Sequence, residues 1–349
     1  MSVKGSTALV RLAGNPACEI LGAMVMQEGS ERRFYEQVVG QPYDREFGER
    51  QSSKRRGAQF ERNAYAGDTR LPRETLSPLI DVAPDDIRVR NLIDEYPGTK
   101  DDARIARLNI TRKILQTSIG GGTFPHLIIQ PQLLIPTSPG PRPYFFIAPD
   151  LLIWSARHGC YLPGDLKSFI VRENEVSKGD LARVRLQLGA QVLALRHEYH
   201  RLGLMALPPA QGVLMFSKPN SLSPHAPRIE DLGGAVEAVH IGIDAFLRHR
   251  QRIDALRAGA APHTVVADLD PNFQDACLAS CVMAQWCRDR VAGRAADLGD
   301  VASEVLEDLP LDHLIGLMEG RVQPSSEHEQ IIAERLQAIA EQHLVGRVA

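Results

Sequence analysis

Residues 143–169 read PYFFIAPDLLIWSARHGCYLPGDLKSF, in which two apolar runs are separated by a short polar turn. Short runs that are rich in aromatic and branched side chains are typical of buried strands. We predict one strand over 145–154, with Asp150 inside it, and a second strand over 160–167. The polar turn between them makes the pair a hairpin.

The second strand carries an acid and a base in alternation. Side chains two residues apart lie on the same face of a strand, so we expect Asp165 and Lys167 to point together while Leu166 points into the core. The hairpin is expected to bring Asp150 beside that pair. Two carboxylates this close repel each other unless a cation lies between them, and carboxylate oxygens suit Mg²⁺ or Mn²⁺. The pattern therefore predicts a divalent metal site at a sheet edge, with a surface ion pair at a strand end as the alternative.

Length and composition are those of an ordinary globular protein. The 349 residues are enough for one large domain with insertions or for two smaller domains. Hydrophobic residues make up 44% and charged residues 24% of the chain, and the formal net charge is only -3. The overall charge therefore does not indicate a nucleic-acid-binding protein, and any such contact must come from local clusters.

The sequence indicates neither a membrane span nor a secretion signal. No run of roughly 18 apolar residues occurs, and the opening MSVKGSTALVRLAG lacks the apolar core of a signal peptide. We therefore predict a cytoplasmic protein with no membrane partner. In that compartment the five cysteines are expected to be free thiols, metal ligands or catalytic groups rather than disulfides.

Hydrophobic periodicity predicts the elements on either side of the hairpin. Strand-like runs are predicted over 126–136 and 211–217, and a short helical patch over 86–95. Longer helices are predicted over 18–27, 32–39, 101–119, 178–202, 233–257 and 327–345. This order predicts a mixed α/β core whose strands are flanked by helices.

Three regions follow from the order of these elements. Residues 1–125 are predicted to form a helical N-terminal region, in which 71–123 is an insertion. Residues 126–220 are predicted to form the α/β core. Residues 221–349 are predicted to form a helical C-terminal region.

Asp150, which follows Pro149, and the tripeptide Asp165-Leu166-Lys167 on the next strand resemble the PD-(D/E)xK nuclease superfamily. An acid-x-lysine tripeptide alone is a weak signal, so the neighbouring segments matter. The resemblance implies a restriction-endonuclease-like core, a mixed central sheet flanked by helices, over 126–220.

Two further segments resemble the RecB-like branch of that superfamily. Residues 57–61, GAQFE, resemble its Gly-x-x-x-acid-or-histidine helix, with Glu61 at the final position. Residues 187–191, QLGAQ, resemble its glutamine-led helix after the lysine, with Gln187 at the first position. Gln191 departs from the pattern, because that branch commonly has tyrosine there.

The cysteines resemble those of the iron-sulfur RecB-like nucleases, which include the CRISPR adaptation nuclease and helicase-nuclease subunits. In that subgroup one early cysteine and a late trio hold a [4Fe-4S] cluster, on which the helical N- and C-terminal extensions close. The matching residues here are Cys18, Cys277, Cys281 and Cys287. The trio is spaced C-x3-C-x5-C, whereas the commoner spacing opens with C-x2-C. Buried thiols and a four-cysteine structural Zn²⁺ site are the alternatives, and Cys160 is assigned to the core.

The resemblance implies Mg²⁺- or Mn²⁺-dependent hydrolysis of phosphodiester bonds in DNA. It assigns Asp150, Asp165 and Glu61 as metal ligands, with the Leu166 carbonyl as a further oxygen. Lys167 is expected to orient the attacking water and to offset charge in the transition state.

Residues around these ligands have expected supporting roles. Gln187 is assigned to steadying the pocket or contacting DNA. Candidate phosphate contacts are Arg55, Arg56, Arg62 and Lys218.

Three classes of function stay open at this point. The first is a metal-dependent DNA nuclease that acts on single strands or DNA ends in repair, recombination or phage defence. The second is a restriction-type endonuclease, and the third is a non-catalytic DNA-binding or scaffold subunit. The intact acids and lysine argue against the third class. The expected partners are DNA and a helicase or another defence or repair subunit.

Overall fold

The computed structural model describes most of the chain, which divides into two compact units. The first unit comprises residues 1–16, 21–29 and 49–258, and the second comprises 17–20, 30–48 and 259–349. The described residues are 5–26, 30–43, 55–57, 59–61, 64, 70–98, 100–136, 144–168, 178–217, 227–257, 262–274, 277, 281–291, 300–307 and 309–345.

The strands all belong to the first unit. In chain order they are β1 (Val89–Asn91), β2 (Leu127–Ile129), β3 (Leu133–Pro136), β4 (Tyr144–Ile147), β5 (Leu151–Ser155), β6 (Cys160–Lys167), β7 (Gln211–Phe216) and β8 (Arg228–Asp231).

Helices surround the strands and form the second unit. They are α1 (Ser6–Gly14), α2 (Glu19–Met26), α3 (Glu31–Val39), α4 (Arg70–Ile80), α5 (Leu92–Glu95), α6 (Asp101–Ile119), α7 (Lys178–Arg201), α8 (Gly233–Arg257), α9 (Pro262–Ala267), α10 (Ala284–Val291), α11 (Asp300–Leu306), α12 (Leu311–Met318) and α13 (Glu327–Val345). Residues 55–57 and 59–61 are also helical. Among the described helices, none has the length and apolar character needed to cross a membrane.

The main sheet is mixed and has the strand order β1-β2-β5-β6-β7-β8 among the described residues. The pairs β1–β2 and β6–β7 are parallel, and the other neighbours are antiparallel. A separate antiparallel pair joins β3 to β4. The predicted α/β class, with a mixed central sheet flanked by helices, is therefore confirmed.

Strand β7 shows that the sheet is covered on both faces. Val213 and Met215 lie in one core cluster together with Phe60 and residues of α4. Leu214 and Phe216, the alternate residues, lie in a second cluster with Val184, Leu188 and Val192 of α7. Because side chains alternate along a strand, this apolar run fills a helix–sheet–helix sandwich.

Helices α7 and α8 pack closely on the second face at Gly189. A Cβ atom at Gly189 would lie 2.9 Å from the backbone carbonyl carbon of Ala235, closer than packed atoms approach. The absence of a side chain at Gly189 therefore permits the contact.

An ion pair fixes α6 against α7. Glu198 is fully buried, and its carboxylate accepts hydrogen bonds from Arg112 Nε at 2.7 Å and Nη2 at 2.9 Å. Arg201, one turn further along α7, lies 3.2 Å from the same carboxylate. Arg112 thus forms a bidentate ion pair with the buried Glu198, which is the strongest geometry for an arginine–carboxylate pair.

His126 lies at the start of β2 in contact with Arg88. Its side chain is buried, and Nε2 lies 2.8 Å from Arg88 Nη2. A guanidinium can only donate hydrogen bonds, so this contact requires an unprotonated Nε2. Burial, and secondarily the charge of Arg88, lower the pKa of His126.

The lowered pKa of His126 predicts a loss of stability in mild acid. The unfolded chain binds a proton at His126 at a higher pH than the folded protein does, so the free energy of unfolding falls as pH falls below about 6.5. Between pH 7.5 and pH 5.5, the denaturation midpoint should fall less in His126→Gln than in the wild-type protein. The matched control is His158→Gln, which makes the same substitution in the hairpin turn. An equal fall of the midpoint in the wild-type protein and in His126→Gln would contradict the prediction.

The second unit has a core of its own. Leu314 of α12 and Ile332 of α13 are buried against Leu306, Leu309 and Leu336. Glu19 also belongs to this unit. The Asp270 backbone N–H donates to Glu19 Oε2 at 3.0 Å, and the Glu19 backbone N–H donates to the Asp270 carbonyl at 3.2 Å. This reciprocal contact ties the segment after Cys18 to the segment before Cys277.

Most predicted elements are confirmed, often to within two residues. The helices predicted over 101–119, 233–257 and 327–345 have those bounds, and the helix predicted over 178–202 ends one residue earlier. The predicted hairpin is the β5–β6 pair.

The prediction of one strand over 145–154 is wrong. Strand β4 ends at Ile147 and pairs with β3, whereas β5 begins at Leu151 and pairs with β2 and β6. The break falls at Pro149, which has no N–H for a strand ladder, so Asp150 precedes β5 instead of lying inside a strand.

Two further predictions of elements are corrected. The run 126–136 is two strands in different sheets, divided at Gln130, whose φ is +51°. The patch predicted as a helix over 86–95 starts with Asp86, the last residue of a short 3-10 helix, then contains β1, and is α-helical only from Leu92. Strand β8 and helices α1, α4 and α9 to α12 were not predicted.

Candidate active site at one edge of the sheet

One end of the main sheet, called its edge below, has chain ends from all six of its described strands. Strands β1, β2, β6 and β7 run in the same direction and end there, while the antiparallel β5 and β8 begin there. Loops at the carboxyl ends of parallel strands are where open α/β sheets place ligands. Asp150, immediately before β5, and Asp165 and Lys167, at the end of β6, all lie at this edge.

Asp165 and Lys167 point together, as the alternation predicts. Lys167 Nζ lies 2.6 Å from Asp165 Oδ2, where the aspartate side chain is fully buried and the lysine side chain is 20% exposed. Leu166, between them, lies in the core cluster on the opposite face. The predicted facing of these three residues is confirmed.

Asp150 lies beside this pair and is held from two sides. The Leu166 backbone N–H donates to Asp150 Oδ2 at 2.8 Å. The Gln130 side-chain amide, through Nε2, donates to Asp150 Oδ1 at 3.4 Å. The carboxylate of Asp150 therefore has a fixed orientation next to β6, as the hairpin predicted.

Gln130 is a site residue that the sequence did not reveal. Its backbone N–H also donates to the Asp150 carbonyl at 2.9 Å. Its φ of +51° lies in the left-handed region, which is uncommon outside glycine and often marks functional positions. A non-glycine residue in this conformation has no sequence signature, so only the structure identifies it.

Two glutamine amides from α7 hold Asp165. Gln187 Nε2 donates to Asp165 Oδ1 at 3.2 Å, and Gln191 Nε2 lies 3.4 Å from the same oxygen. They are one helical turn apart and face the sheet together. Gln191 is fully buried.

Glu61 lies near the same groups, on the helical residues 59–61. Its carboxylate interacts electrostatically with Lys167 and Asp165. Arg56 anchors this helical segment, because its Nε donates to the Ser168 carbonyl just past β6 at 3.2 Å. The structure thus places Glu61 within electrostatic reach of the β6 pair.

The site carries an excess of negative charge. Burial, then the neighbouring Asp165, raises the pKa of Asp150, and Lys167 and the Leu166 N–H only partly oppose this. Burial, and to a smaller degree Asp165, raise the pKa of Glu61. Burial lowers the pKa of Lys167, but the surrounding acids outweigh it and the net shift is upward. Three carboxylates therefore face one ammonium.

An oxygen-rich site with surplus negative charge fits a divalent cation such as Mg²⁺ or Mn²⁺. The backbone adds one more oxygen at this point. Lys167 accepts a hydrogen bond at its carbonyl from Ser217 on the β7 side, so strand alternation directs the Leu166 carbonyl to the opposite side, toward Asp150. As they stand, no three histidine, cysteine or acidic side chains of the described residues are arranged to hold a metal ion.

Four cysteines of the second unit are close enough for three of them to affect the fourth electrostatically. Burial, followed by the nearby thiols of Cys18, Cys281 and Cys277, strongly raises the pKa of Cys287. None of the chain's five cysteines, all in described residues, forms a disulfide. Cys160 is buried at the start of β6 and is not part of this group.

The predicted phosphate contacts are placed only in part. Arg55 is exposed on the helical segment that carries Glu61, and Arg56 is half-buried there. Arg62 and Lys218 lie outside the described residues.

Comparison of the chain with family models, with curated proteins and with solved structures found no match.

Proposed function

We propose that the protein is a metal-dependent DNA nuclease with a restriction-endonuclease-like core of the PD-(D/E)xK type. The observation that carries the proposal is the grouping of Asp150, Asp165 and Lys167 at one sheet edge, with Lys167 Nζ 2.6 Å from Asp165. Paired acids that can bind a divalent cation, with a lysine beside them, are an arrangement that can support metal-dependent hydrolysis of a phosphodiester.

Asp150, Asp165 and Glu61, with the Leu166 carbonyl, would hold Mg²⁺ or Mn²⁺. The bound ion would supply a more acidic water and stabilise charge on the phosphate. The Lys167 ammonium, beside Asp165, orients the attacking water and offsets negative charge as the water oxygen bonds to phosphorus and the bond to the leaving oxygen breaks.

The amides around the acids keep this geometry fixed. Gln187 and Gln191 hold one oxygen of Asp165, and Gln130 and the Leu166 N–H hold both oxygens of Asp150. Ligands whose orientation is fixed before the metal arrives need less reorganisation during the reaction. The support around the acids thus favours catalysis over a non-catalytic scaffold role.

The direct test is digestion of linear single-stranded and double-stranded DNA by the purified protein with Mn²⁺ or Mg²⁺. Cleavage that stops when EDTA replaces the metal is expected. A protein that binds Mn²⁺ but leaves every DNA substrate intact would favour the scaffold alternative. Site-specific cleavage of circular duplex DNA would favour the restriction-type alternative.

We also propose that Cys18, Cys277, Cys281 and Cys287 hold a [4Fe-4S] cluster, on which the N- and C-terminal helical segments close. The electrostatic effect of Cys18, Cys277 and Cys281 on Cys287 supports this, because it raises the pKa of Cys287 and a bound cation would favour the thiolate. A structural Zn²⁺ is the second candidate for the same four ligands.

Anaerobically purified protein is expected to be brown, with about four iron and four sulfide per chain. Cys287→Ala should lose the colour and most of the iron. The matched control is Cys160→Ala, which removes a buried thiol outside the group and should keep both. Colourless wild-type protein with one zinc per chain would replace the cluster by zinc.

A further inference from the structure

Arg107 is a buried guanidinium without an acidic partner. Its side chain lies in the second turn of α6, and the residue is 6% exposed. Nη1 donates to the Tyr96 carbonyl at 3.2 Å, and Nε has no hydrogen-bond acceptor. Within the described part of the chain, no carboxylate forms an ion pair with it.

Other arginines of this unit have partners that Arg107 lacks. Arg112 is paired with the buried Glu198, and Arg185 is paired with the buried Glu230. The charged group that affects Arg107 is instead another cation, Arg104, so burial and Arg104 together lower the pKa of Arg107. An arginine nevertheless stays protonated in proteins, so Arg107 keeps its positive charge, whereas Arg104 lies 3.7 Å from the carboxylate of Asp101.

Arg107 is also placed at the edge of the sheet that carries the acids. Thr111, one turn further along α6, donates to the Arg107 carbonyl at 2.8 Å and accepts from the Gln132 N–H at 3.2 Å. Gln132 is two residues from Gln130, which contacts Asp150. Tyr96, the other contact, follows β1, which ends at the same edge.

The strand order gives the spacing between the strands next to Arg107 and the strands that carry the acids. Tyr96, which contacts Arg107, follows β1, and the acids lie on β5 and β6. Because neighbouring strands are about 4.8 Å apart, the end of β1 is separated from that of β5 by about 10 Å and from that of β6 by about 15 Å. A nucleic-acid strand lying along this edge would pass the end of β1 as well as the acids.

We propose that Arg107, assisted by Arg104, binds a backbone phosphate of the DNA strand near the phosphate that is cleaved. The inference rests on the proposed nuclease function and names a substrate contact for it. A phosphate supplies the anion and the acceptors that Arg107 lacks, since a guanidinium donates two parallel hydrogen bonds to phosphate oxygens. The contact positions the strand and reads no base.

The test measures DNA affinity in EDTA, where cleavage cannot occur, at a series of salt concentrations. For Arg107→Met we expect affinity for single-stranded DNA to fall about tenfold, the effect of losing charged hydrogen bonds. The slope of log affinity against log salt should become shallower by about 0.7. Arg107→Lys, which keeps the charge, should retain most of the slope and recover part of the affinity.

Stability separates this inference from a purely structural role. A buried cation without an anion destabilises the folded protein, so Arg107→Met should leave the denaturation midpoint unchanged or raise it. A lowered midpoint with wild-type affinity and salt slope would overturn the inference, because Arg107 would then serve only the Tyr96 contact. Should Arg107→Met fail to fold, Arg107→Lys decides, since wild-type affinity and slope in that folded variant would also overturn it.

The matched control is Lys113→Met, which removes one positive charge from an exposed position on the same helix. Lys113→Met should change the DNA affinity and the salt slope by only a small fraction of the change that Arg107→Met causes. Failure of the nuclease proposal gives a different result: wild-type protein would bind DNA with the predicted Arg107 dependence yet cleave nothing with Mn²⁺. Wild-type protein that cleaves DNA, with no effect of Arg107→Met on binding, would overturn the phosphate contact alone.

Discussion

Asp165→Asn is expected to reduce metal-dependent DNA cleavage at least about a thousandfold, which corresponds to about 4 kcal/mol of lost transition-state stabilisation. The substitution keeps the size and one acceptor oxygen of Asp165, so Gln187 can still donate to it. It removes the charge that holds Lys167 and that is needed to bind Mg²⁺ or Mn²⁺. Initial rates on linear DNA, measured over a range of Mn²⁺ concentrations, check this prediction.

Two additional measurements define the cause of the loss. Mn²⁺ binding, followed by calorimetry or by the electron paramagnetic resonance signal of free Mn²⁺, should weaken in Asp165→Asn, while the circular dichroism spectrum stays that of wild type. Asp244→Asn is the matched control, because it is the same substitution at an exposed position on α8. Wild-type rates in Asp165→Asn would remove the whole catalytic assignment.

Arg112→Met is expected to lower the free energy of unfolding by about 3 kcal/mol, the usual cost of leaving a buried charge unpaired. Glu198 has no exposed surface, and after the substitution only Arg201, at 3.2 Å, would remain near it. Urea unfolding at neutral pH, monitored by circular dichroism, measures the change. An unchanged midpoint would mean that α6 and α7 are not held together by this ion pair.

An exposed ion pair between β1 and α5 provides the control for burial. Arg90 contacts Glu95 through Nε and Nη2, both at 2.9 Å, but the side chains are 35% and 37% exposed. Water screens such a pair, so Arg90→Met should cost less than about 1 kcal/mol. Replacing both members of the buried pair, Arg112→Met with Glu198→Met, should restore much of the stability lost in Arg112→Met, since no unpaired charge remains.

The sequence predicted the parts of the site that depend on local periodicity. Asp165 and Lys167 lie two residues apart on a strand, so their common direction follows from the pleat alone. Gln187 was assigned only through the resemblance, and Gln191 was given no role, although it lies one helical turn further on and faces the same carboxylate. The turn that brings Asp150 to this pair is equally local, because β5 and β6 are adjacent in the chain.

The parts that the sequence did not predict depend on contacts between distant segments. Gln130 reaches Asp150 only because β2 pairs with β5, and nothing in the residues 126–136 indicates that pairing. Strand β8 is short and polar, so it has no apolar alternation to identify it. The buried Arg107 was equally hidden, since only tertiary packing shows that a charged residue on a helix is covered.

The parallel pairing of β6 with β7 sets the order in which the site can be assembled. The β5–β6 hairpin closes through neighbouring residues, and hairpins form within about 1–10 μs, so the two aspartates meet early in folding. Strand β7 reaches β6 only after the 24-residue helix α7 has crossed the sheet. Non-local pairing of this kind is slow. Gln187 and Gln191 of α7 therefore reach Asp165 late in folding. A nascent chain that ends before residue 211 contains Asp150 and Asp165 but lacks β7, the strand that pairs with β6.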